Sequence, residues 1–239
     1  MKRLKFEDII VSEDKDYIVI NKPAGISSLH DWSSEVTIQK MAKTYCEDPQ
    51  LCHRLDKETS GAMVIAKNPE AYRHLSMQFE HRTVDKVYHA VVDGIQDIEP
   101  IKVDRPIYTM SKGKVRIDFE QGKPAVTLFK MGEVYRGYTL MHCKPETGRM
   151  HQIRVHLSSM KMPIVGDTMY GGKEIYLSRL KKKYHLKEGA EELPLIKRFA
   201  LHAFSISYKN QEDEVQYFEA PYPKDFSVLI KQLQKISGK

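Results

Sequence analysis

The sequence contains no apolar run long enough to cross a lipid bilayer. Its longest apolar stretches, such as residues 17–20, are far shorter than the roughly 20 residues that a transmembrane helix needs. The N-terminus is basic, but Glu7 and Asp8 interrupt the place where a signal peptide would have its apolar segment. The sequence therefore predicts a protein that is neither exported nor integral to a membrane.

Cysteine is also scarce. The three cysteines, Cys46, Cys52 and Cys143, are an odd number without C-x-x-C spacing, so the sequence suggests neither a disulfide framework nor a zinc knuckle. Cysteines without such a pattern fit a reducing compartment. We therefore expect the protein to work in the cytoplasm.

Repeats, long Ser/Gly/Pro linkers and glycine strings that bind phosphate are absent as well. Neither a G-x-G-x-x-G nor a Walker A sequence occurs, so a nucleotide-cofactor fold is disfavoured. With 239 residues, the chain is long enough to bury its own hydrophobic core. We expect a single domain over residues 1–239, and a monomer.

Positive charge exceeds negative charge. The chain has 38 Lys and Arg against 32 Asp and Glu, a net charge of +6, which favours a polyanionic partner. Residues 102–154 alone hold eleven basic against five acidic side chains. Within them, Gly113 permits a tight turn, which predicts a basic hairpin or loop at 111–116. A second basic stretch comprises Arg179 and residues 181–183. Each stretch either contacts phosphates or is an ordinary solvated face.

Strand-like segments outnumber helical ones. Strand patterns, rich in β-branched and aromatic residues, cover 9–11, 17–20, 62–66, 84–92, 125–131, 138–143, 200–208 and 215–219. Apolar residues at helical spacing cover 33–45, 70–81 and 227–236, with Ser33 or Ser34 as the N-cap of the first helix. Helices and strands do not alternate regularly, which predicts an α+β protein rather than a doubly wound parallel sheet.

The most unusual string runs from His53 to Gly61 and leads directly into the apolar strand at 62–66. Asp56, with Thr59 close behind it, has the composition of a turn in which the carboxylate accepts hydrogen bonds and is held ionised and oriented. From these residues alone, Asp56 is either a structural turn cap, which is the commoner role, or a catalytic carboxylate.

A second string, residues 147–157, places nitrogen-bearing side chains around a short apolar pattern. Arg154 is either buried beside an acidic partner or engaged in a surface salt bridge. His151 and His156 are five residues apart, without the spacing or the intervening carboxylate of an H-E-x-x-H zinc site. The spacing therefore disfavours metal binding.

Taken together, five strings resemble the RluA family of pseudouridine synthases in their order and spacing. They are Asn21-Lys22-Pro23-Ala24-Gly25, His53-Arg54-Leu55-Asp56 with Thr59-Ser60-Gly61, Lys86-x-Tyr88, Gly148-Arg149-x-His151-Gln152-Ile153-Arg154-Val155-His156-Leu157, and Leu201-His202-Ala203. The resemblance extends from about Ile9 to about Pro223, nearly the entire chain. It implies an α+β fold with a mixed, largely antiparallel central sheet, flanking helices and an active-site cleft.

The resemblance also implies a reaction, the isomerisation of uridine to pseudouridine within RNA, without a metal or an organic cofactor. By match to the family's motifs, Asp56 is the nucleophile that attacks the ribose or the uracil ring. Arg154 is the basic residue that pairs with this aspartate and keeps it charged. Tyr88 packs on the target base, and its hydroxyl can assist removal of the proton from the ring carbon.

Binding residues follow from the same match. Arg54 fills the gap left by the flipped uridine, while Ile153 and Leu201 are apolar pocket walls or plain core residues. Many members carry an added N-terminal RNA-binding domain, but here the first matching string begins almost at the start, and we expect no such domain. The catalytic domain is then expected to bind RNA by itself, through Lys112, Lys114 and Arg116 and through the stretch 179–183.

Two functions of different classes remain, an RNA-modifying enzyme and a non-catalytic RNA-binding or RNA-chaperone protein on the same fold. The intact set of Asp56, Tyr88 and Arg154 favours the enzyme, because a binder has no physical need of a buried carboxylate–guanidinium pair. A metal-dependent hydrolase fails on histidine spacing. The sequence does not identify the target uridine, so transfer RNA and large-subunit ribosomal RNA both stay open as substrates.

Overall fold

The computed structural model describes residues 4–29, 36–95, 99–181, 184–186 and 189–238, except for the side chain of Lys112. The chain divides into two compact units. Unit 1 comprises Met1–Val87 and His202–Pro221, and unit 2 comprises Tyr88–Leu201 and Tyr222–Lys239. Each unit is therefore built from two separate stretches of the chain.

The helices of the described ranges are α1 (Ile38–Lys43), α2 (Pro69–Glu80), α3 (Gln152–Ser159), α4 (Leu177–Leu180) and α5 (Lys224–Ile236). The strands are β1 (Ile10–Glu13), β2 (Tyr17–Lys22), β3 (Gln50–Leu51), β4 (Ser60–Ala66), β5 (Asp85–Asp93), β6 (Ile101–Asp104), β7 (Ile107–Thr109), β8 (Val115–Ile117), β9 (Val126–Tyr135), β10 (Tyr138–Pro145), β11 (Leu201–Lys209) and β12 (Val215–Glu219). Single 3-10 turns lie at Glu7–Ile9, Ser111–Gly113 and Thr168–Tyr170. None of these helices is long and apolar enough to span a bilayer.

Unit 1 is organised around β4. The strand order is β1–β2–β4–β11, with β3 paired to β4 and β12 paired to β11. β4 is antiparallel to β2 but parallel to β11, where Ser60 pairs with His202. All of β4 is buried, and on one side its Val64 belongs to a core with Tyr17 and with Leu75 of α2. The residues that enter β4 are therefore attached to the most buried strand of the unit.

Unit 2 contains an antiparallel sheet in the order β5–β10–β9–β6 and a separate hairpin of β7 and β8. Helix α5 buries Phe226, Leu229, Ile230 and Leu233, whose spacing is that of an amphipathic helix facing a core. These side chains join Phe129 of β9 and Met141 of β10 in one cluster. Ile153 of α3 belongs to the same cluster, so the core of unit 2 supports the helix that carries Arg154.

The predicted α+β class and the mixed, largely antiparallel sheet are confirmed. The strands predicted at 84–92 and 200–208 are β5 and β11, displaced by one residue, and the prediction at 215–219 matches β12. The basic hairpin predicted around Gly113 is formed by β7 and β8. Local enrichment in β-branched and aromatic residues was sufficient to predict β5, β11 and β12, because these residue types favour extended strands.

The prediction of the first helix was wrong in its extent. α1 covers Ile38–Lys43 rather than 33–45, and its N-cap is Thr37, whose hydroxyl accepts a hydrogen bond from the Lys40 N–H at 3.2 Å. A threonine in this position satisfies one of the free N–H groups of the first turn. Ser33 and Ser34, the predicted caps, lie outside the described residues.

Helix α3 was not predicted at all. Ile153, Val155 and Leu157 alternate as in a strand, and every residue from Gln152 to Leu157 is buried. A helix that is buried on all sides lacks the apolar stripe by which helices are recognised in a sequence. Strands β6 and β7, which are four and three residues long, were also missed.

Candidate functional site

Asp56 lies in a short turn, residues 55–59, that enters β4. Leu55 is buried and Asp56 is partly buried. The N–H of Thr59 donates to the carbonyl oxygen of Asp56 at 3.0 Å, which closes the turn through the backbone. The Asp56 carboxylate is therefore carried by a turn whose far end is fixed in a buried strand.

The string Asn21-Lys22-Pro23-Ala24-Gly25 holds one side of this turn. Lys22 is fully buried, and its ammonium donates to the carbonyl oxygens of Pro23 at 3.0 Å, Ile26 at 2.7 Å and Lys57 at 3.1 Å. The N–H of Gly25 donates to the same Lys57 carbonyl at 2.8 Å. A buried ammonium needs such partners, and here one of them is the residue immediately after Asp56.

Ser28 holds the other side of the turn. Its hydroxyl donates to the Leu55 carbonyl at 2.9 Å and accepts from the Leu55 N–H at 3.1 Å. The residues before and after Asp56 are thus both tied to the segment 22–28. This arrangement fixes the backbone on which the carboxylate is mounted, which is what a positioned catalytic group requires.

His53 supports the same string as a neutral side chain. Its Nε2 accepts a hydrogen bond from the Val64 N–H at 2.9 Å, and its ring stacks on Phe79 with centroids 4.7 Å apart. Burial, with a smaller contribution from the charge of Lys86, lowers the pKa of His53 to about 3. The ammonium of Lys86 lies 5.4 Å from the centroid of the Phe79 ring, and burial lowers the pKa of Lys86 as well.

The strings Thr59-Ser60-Gly61 and Leu201-His202-Ala203 meet where β4 pairs with β11. The Ser60 hydroxyl lies 2.9 Å from Nδ1 of the buried His202, whose Nε2 donates to the Ala220 carbonyl at 3.0 Å. A Cβ on Gly61 would lie 2.1 Å from the carbonyl oxygen of Ala203. Only glycine fits there, at a φ of 122° that other residues rarely adopt.

In unit 2, Arg154 is buried on α3 and bound to Asp167. Its Nε lies 2.7 Å from Oδ2 and its Nη2 lies 2.8 Å from Oδ1, a two-point ion pair. The guanidinium also lies over the rings of Phe199 and Tyr170, at 4.1 and 4.9 Å from the centroids. The alternative of a surface salt bridge is therefore wrong, because Arg154 is only 5% exposed.

Asp167 was missed by the sequence analysis. It follows Gly166, where a Cβ would lie 2.4 Å from the Arg198 carbonyl oxygen, and its own carbonyl accepts from the Gly172 N–H at 2.8 Å. A Cβ on Gly172 would lie 1.9 Å from the Ile164 carbonyl oxygen. Two glycines required by close backbone approach thus bracket this aspartate, and the string Gly166-Asp167 to Gly171-Gly172 is the signal that could have revealed it.

Tyr170 connects this ion pair to the basic hairpin. Its hydroxyl oxygen accepts from the Val115 N–H of β8 at 3.2 Å and lies 2.9 Å from Nδ1 of His151. His151 precedes α3 with a left-handed φ of 53°. The ring that covers the Arg154 guanidinium is therefore also bonded to the hairpin and to the start of α3.

The remaining polar residues of the string 148–157 attach α3 to β9. The Gln152 side chain donates to the Val126 carbonyl at 2.9 Å and to Oγ1 of Thr127 at 3.0 Å. Nδ1 of His156 lies 3.0 Å from the same Oγ1, and its Nε2 donates to the Arg105 carbonyl. Burial lowers the pKa of His156. Among the described residues, no group of three or more His, Cys, Asp or Glu side chains is arranged to hold a metal ion.

Three other predicted site residues share the core of unit 2. Ile153 and Leu201 are 6% and 3% exposed and belong to one cluster, against which Tyr88 packs. Tyr88 pairs with Cys143 across β5 and β10. Arg54 is exposed and belongs, like Asp56, to unit 1. The pairing of Arg154 with Asp56 stays a prediction.

The basic hairpin presents exposed side chains. Lys114 is exposed, and so is Arg116, which binds Asp118 with Nη2 2.7 Å and Nε 3.2 Å from Oδ2. Arg116 also lies 5.5 Å from the centroid of the Tyr108 ring. The side chain of Lys112, and residues 182 and 183 of the second basic stretch, lie outside the described residues.

Comparison with known proteins identifies the family. The family model described as RNA pseudouridylate synthase matches residues 16–159. A "Ribosomal large subunit pseudouridine synthase D" of Neisseria meningitidis serogroup A is 35% identical over 96% of this chain and 62% of that protein. An "Uncharacterized RNA pseudouridine synthase" of Zymomonas mobilis is 33% identical over 90% of this chain and 94% of that protein.

A solved structure agrees with these matches. The "Human RNA Pseudouridylate Synthase Domain Containing 4" aligns with a TM-score of 0.75 and 26% identity, covering 96% of this chain and 94% of that one. The chain therefore belongs to the RNA pseudouridylate synthase family. It spans about 62% of the length of the Neisseria relative.

Proposed function

We propose that this protein isomerises uridine to pseudouridine within an RNA strand. The observation that carries this proposal is the family match over residues 16–159, which includes Asp56, Tyr88 and Arg154. In the reaction, the bond between the ribose and nitrogen 1 of uracil breaks, and a bond forms between the ribose and carbon 5. The hydrogen on carbon 5 leaves as a proton, and nitrogen 1 takes up a proton, so that the product is an isomer.

Asp56 is proposed as the nucleophile. Its carboxylate attacks either the anomeric carbon of the ribose or carbon 6 of the ring, and is released when the new carbon–carbon bond has formed. The hydrogen bonds from Lys22, Gly25 and Ser28 to the residues on either side of Asp56 support this role, because nucleophilic attack needs a group held in a near-attack position.

Tyr88 and Arg154 are proposed to act on the same uridine. The Tyr88 ring stacks on the base, and its hydroxyl assists removal of the proton from carbon 5. Arg154 supplies a fixed positive charge that pairs with the Asp56 carboxylate. The two bonds from Arg154 to Asp167 support this role, because they hold the guanidinium plane in one orientation.

RNA contacts are proposed at the remaining predicted residues. Arg54 is exposed beside Asp56 and fills the space of the extruded base. Ile153 and Leu201 form apolar walls next to Tyr88. Lys112, Lys114 and Arg116 contact phosphates from the hairpin, where Arg116 would share its charge with Asp118.

The substrate is proposed to be large-subunit ribosomal RNA, on the name of the Neisseria relative, with transfer RNA as the alternative. We further propose that residues 1–239 act as one catalytic domain, since the family match spans the boundary between the two units.

The location and the oligomeric state are proposed as well. Cys46, Cys52 and Cys143 are free thiols, which supports a cytoplasmic location. We expect the protein to be a monomer, and gel filtration tests this.

Pseudouridine mapping in cellular RNA tests the function and finds the substrate. RNA from cells without the gene is compared with RNA from cells that regain the wild-type gene or the Asp56→Asn allele. We expect one or a few pseudouridines to depend on the wild-type gene and not to return with the variant. A non-catalytic RNA-binding or RNA-chaperone protein, the alternative function, would leave the map unchanged in every strain.

A further inference from the structure

Two arginines of unit 2 line one cavity. This cavity, of about 340 Å³, is lined by Arg136, Tyr138, Ser178, Arg179, Leu180 and Ile236. Both arginines are exposed, and within the described ranges neither guanidinium lies within 4.0 Å of a carboxylate. Arg116, Arg154 and Arg198, in contrast, are each paired with an aspartate. The cavity therefore combines two guanidinium groups without a direct ion pair to any described carboxylate, although Arg179 lies 5.5 Å from the centroid of the Tyr176 ring. The hydrogen bonds of Ser178 and, to a smaller extent, the charge of Arg179 lower the pKa of Glu192.

The backbone that carries Arg136 is fixed. The residue lies in the turn between β9 and β10, and its N–H donates to the Ser237 hydroxyl at 2.9 Å, just beyond α5. The next residue, Gly137, accepts a hydrogen bond from the Gly94 N–H at 2.9 Å. Because the turn is bonded on both sides, the Arg136 side chain starts from a defined position, which lowers the entropic cost of binding a ligand.

The other polar groups of the cavity are hydrogen-bond donors or are already engaged. Burial, with Asp93 adding to the effect and Arg179 opposing it, raises the pKa of Tyr138, so its hydroxyl carries a proton that it can donate. Glu192 accepts the Ser178 N–H at 2.8 Å. The cavity thus offers two guanidinium groups and a phenol to an anion, which is the donor set that a phosphate group binds.

We propose that this arginine cavity, formed by Arg136, Arg179 and Tyr138, binds a phosphate of the RNA backbone away from the reacting base. The inference rests on the proposed function, because RNA is the polyanion that the reaction would bring to the protein. Tyr138 pairs with Asp93 at the end of β5. Tyr88 lies five residues before Asp93 in that strand, which at strand spacing separates these two residues by roughly 16 Å. The cavity therefore contacts nucleotides outside the target position.

Salt-dependent RNA binding tests this assignment. Fluorescence anisotropy with a labelled single-stranded oligouridylate compares the full chain with Arg136→Gln/Arg179→Gln and with Lys224→Gln/Lys231→Gln. Both double variants lose two positive charges, and the control lysines are exposed on α5 without lining the cavity. Equal thermal midpoints of the three proteins show that the exposed substitutions leave the fold intact.

Each phosphate contact on a single strand contributes about 0.7 to the slope of log K against log salt. We expect the arginine variant to lose up to about 1.4 of slope and to bind RNA about fivefold more weakly per lost contact near 0.1 M salt. The lysine variant should keep most of the salt slope and most of the RNA affinity of wild type. An unchanged slope in the arginine variant, or equal losses in the two variants, overturns the assignment.

A second titration separates backbone phosphate from a free phosphate compound. Uridine monophosphate is titrated into wild type and the arginine variant. One result would overturn the proposal: wild type binds the nucleotide, the arginine variant does not, and the salt slope of RNA binding is the same for both proteins. The cavity would then be a small-molecule site. Proton release from carbon 5 of uracil reports the proposed reaction separately. A wild type that binds RNA without this release refutes the reaction but not the phosphate contact.

Discussion

Arg154 and Asp167 form a buried two-point ion pair, with Nε 2.7 Å from Oδ2 and Nη2 2.8 Å from Oδ1. The rings of Phe199 and Tyr170 cover the guanidinium. Because both charges are withdrawn from water, removing either deprives the other of this two-point pairing. Asp167 is therefore a positioning residue for Arg154, and through Arg154 for the proposed reaction.

Asp167→Asn keeps the shape of this side chain and removes its charge. Loss of one partner from a buried pair costs roughly 3 to 5 kcal/mol, so we expect a large fall in the free energy of unfolding, measured in urea. We also expect kcat to fall far more than RNA affinity. Glu146→Gln, which breaks the exposed pair with Lys102, is the control, and equal effects of the two variants would contradict the positioning role.

Gly61→Ala tests the close approach of β4 to β11. Its Cβ would lie 2.1 Å from the Ala203 carbonyl oxygen, whereas a Cβ on Gly25, also at positive φ, meets nothing within 4 Å. Gly25→Ala should therefore cost only the backbone strain of about 1 to 2 kcal/mol. We expect Gly61→Ala to lose clearly more stability than Gly25→Ala in the same urea titration. If the two variants lost the same free energy of unfolding, β4 and β11 could move apart at Gly61 without cost, which would refute the prediction.

The pKa of His53 makes stability depend on pH. The folded value is about 3 against an ordinary 6.5, because of burial and the charge of Lys86. The unfolded chain binds more protons below 6.5, so this contribution is present above that pH and is lost as the pH falls towards 3. His53→Gln can still accept the Val64 N–H. We expect the stability of wild type to fall more steeply than that of the variant between pH 6.5 and about 4, and parallel curves would refute this.

Tyr88→Phe and Tyr88→Leu separate the two proposed roles of one ring. Base stacking on an aromatic ring contributes about 1 to 3 kcal/mol, and only the leucine variant loses it. We expect both variants to lose turnover and the phenylalanine variant to bind RNA more tightly than the leucine variant. A phenylalanine variant that turns over normally would show that the hydroxyl is dispensable.

Much of the fold could be predicted because runs of β-branched and aromatic residues mark the strands within short stretches of sequence. The contacts of the motif residues could not. Lys22 and Ser28 bind the Asp56 turn from more than 25 positions away, and Ser60 bonds to His202 across 142 positions. Spacing in a sequence carries no information about such long-range hydrogen bonds, so the strings could be found before their roles could be assigned.

The candidate site shows the same limit. Asp167, thirteen positions after Arg154, binds its guanidinium and was not predicted, while the pairing of Arg154 with Asp56 that the resemblance implies stays a prediction. An aspartate in a turn is common, and only the glycines at 166 and 172, required by backbone contacts, distinguish this one. Close approach of backbone segments becomes visible only in three dimensions.

The central claim is that the protein isomerises uridine in RNA with Asp56 as the nucleophile. Tritium release tests it most directly. RNA labelled with tritium on carbon 5 of uracil, taken from cells that lack the gene, is incubated with wild type, Asp56→Asn or Glu58→Gln. The last variant removes a second carboxylate from the same turn. We predict tritium release by wild type and by Glu58→Gln, and none by Asp56→Asn, although this variant binds RNA as tightly as wild type. Release by Asp56→Asn within tenfold of the wild-type rate would contradict the account.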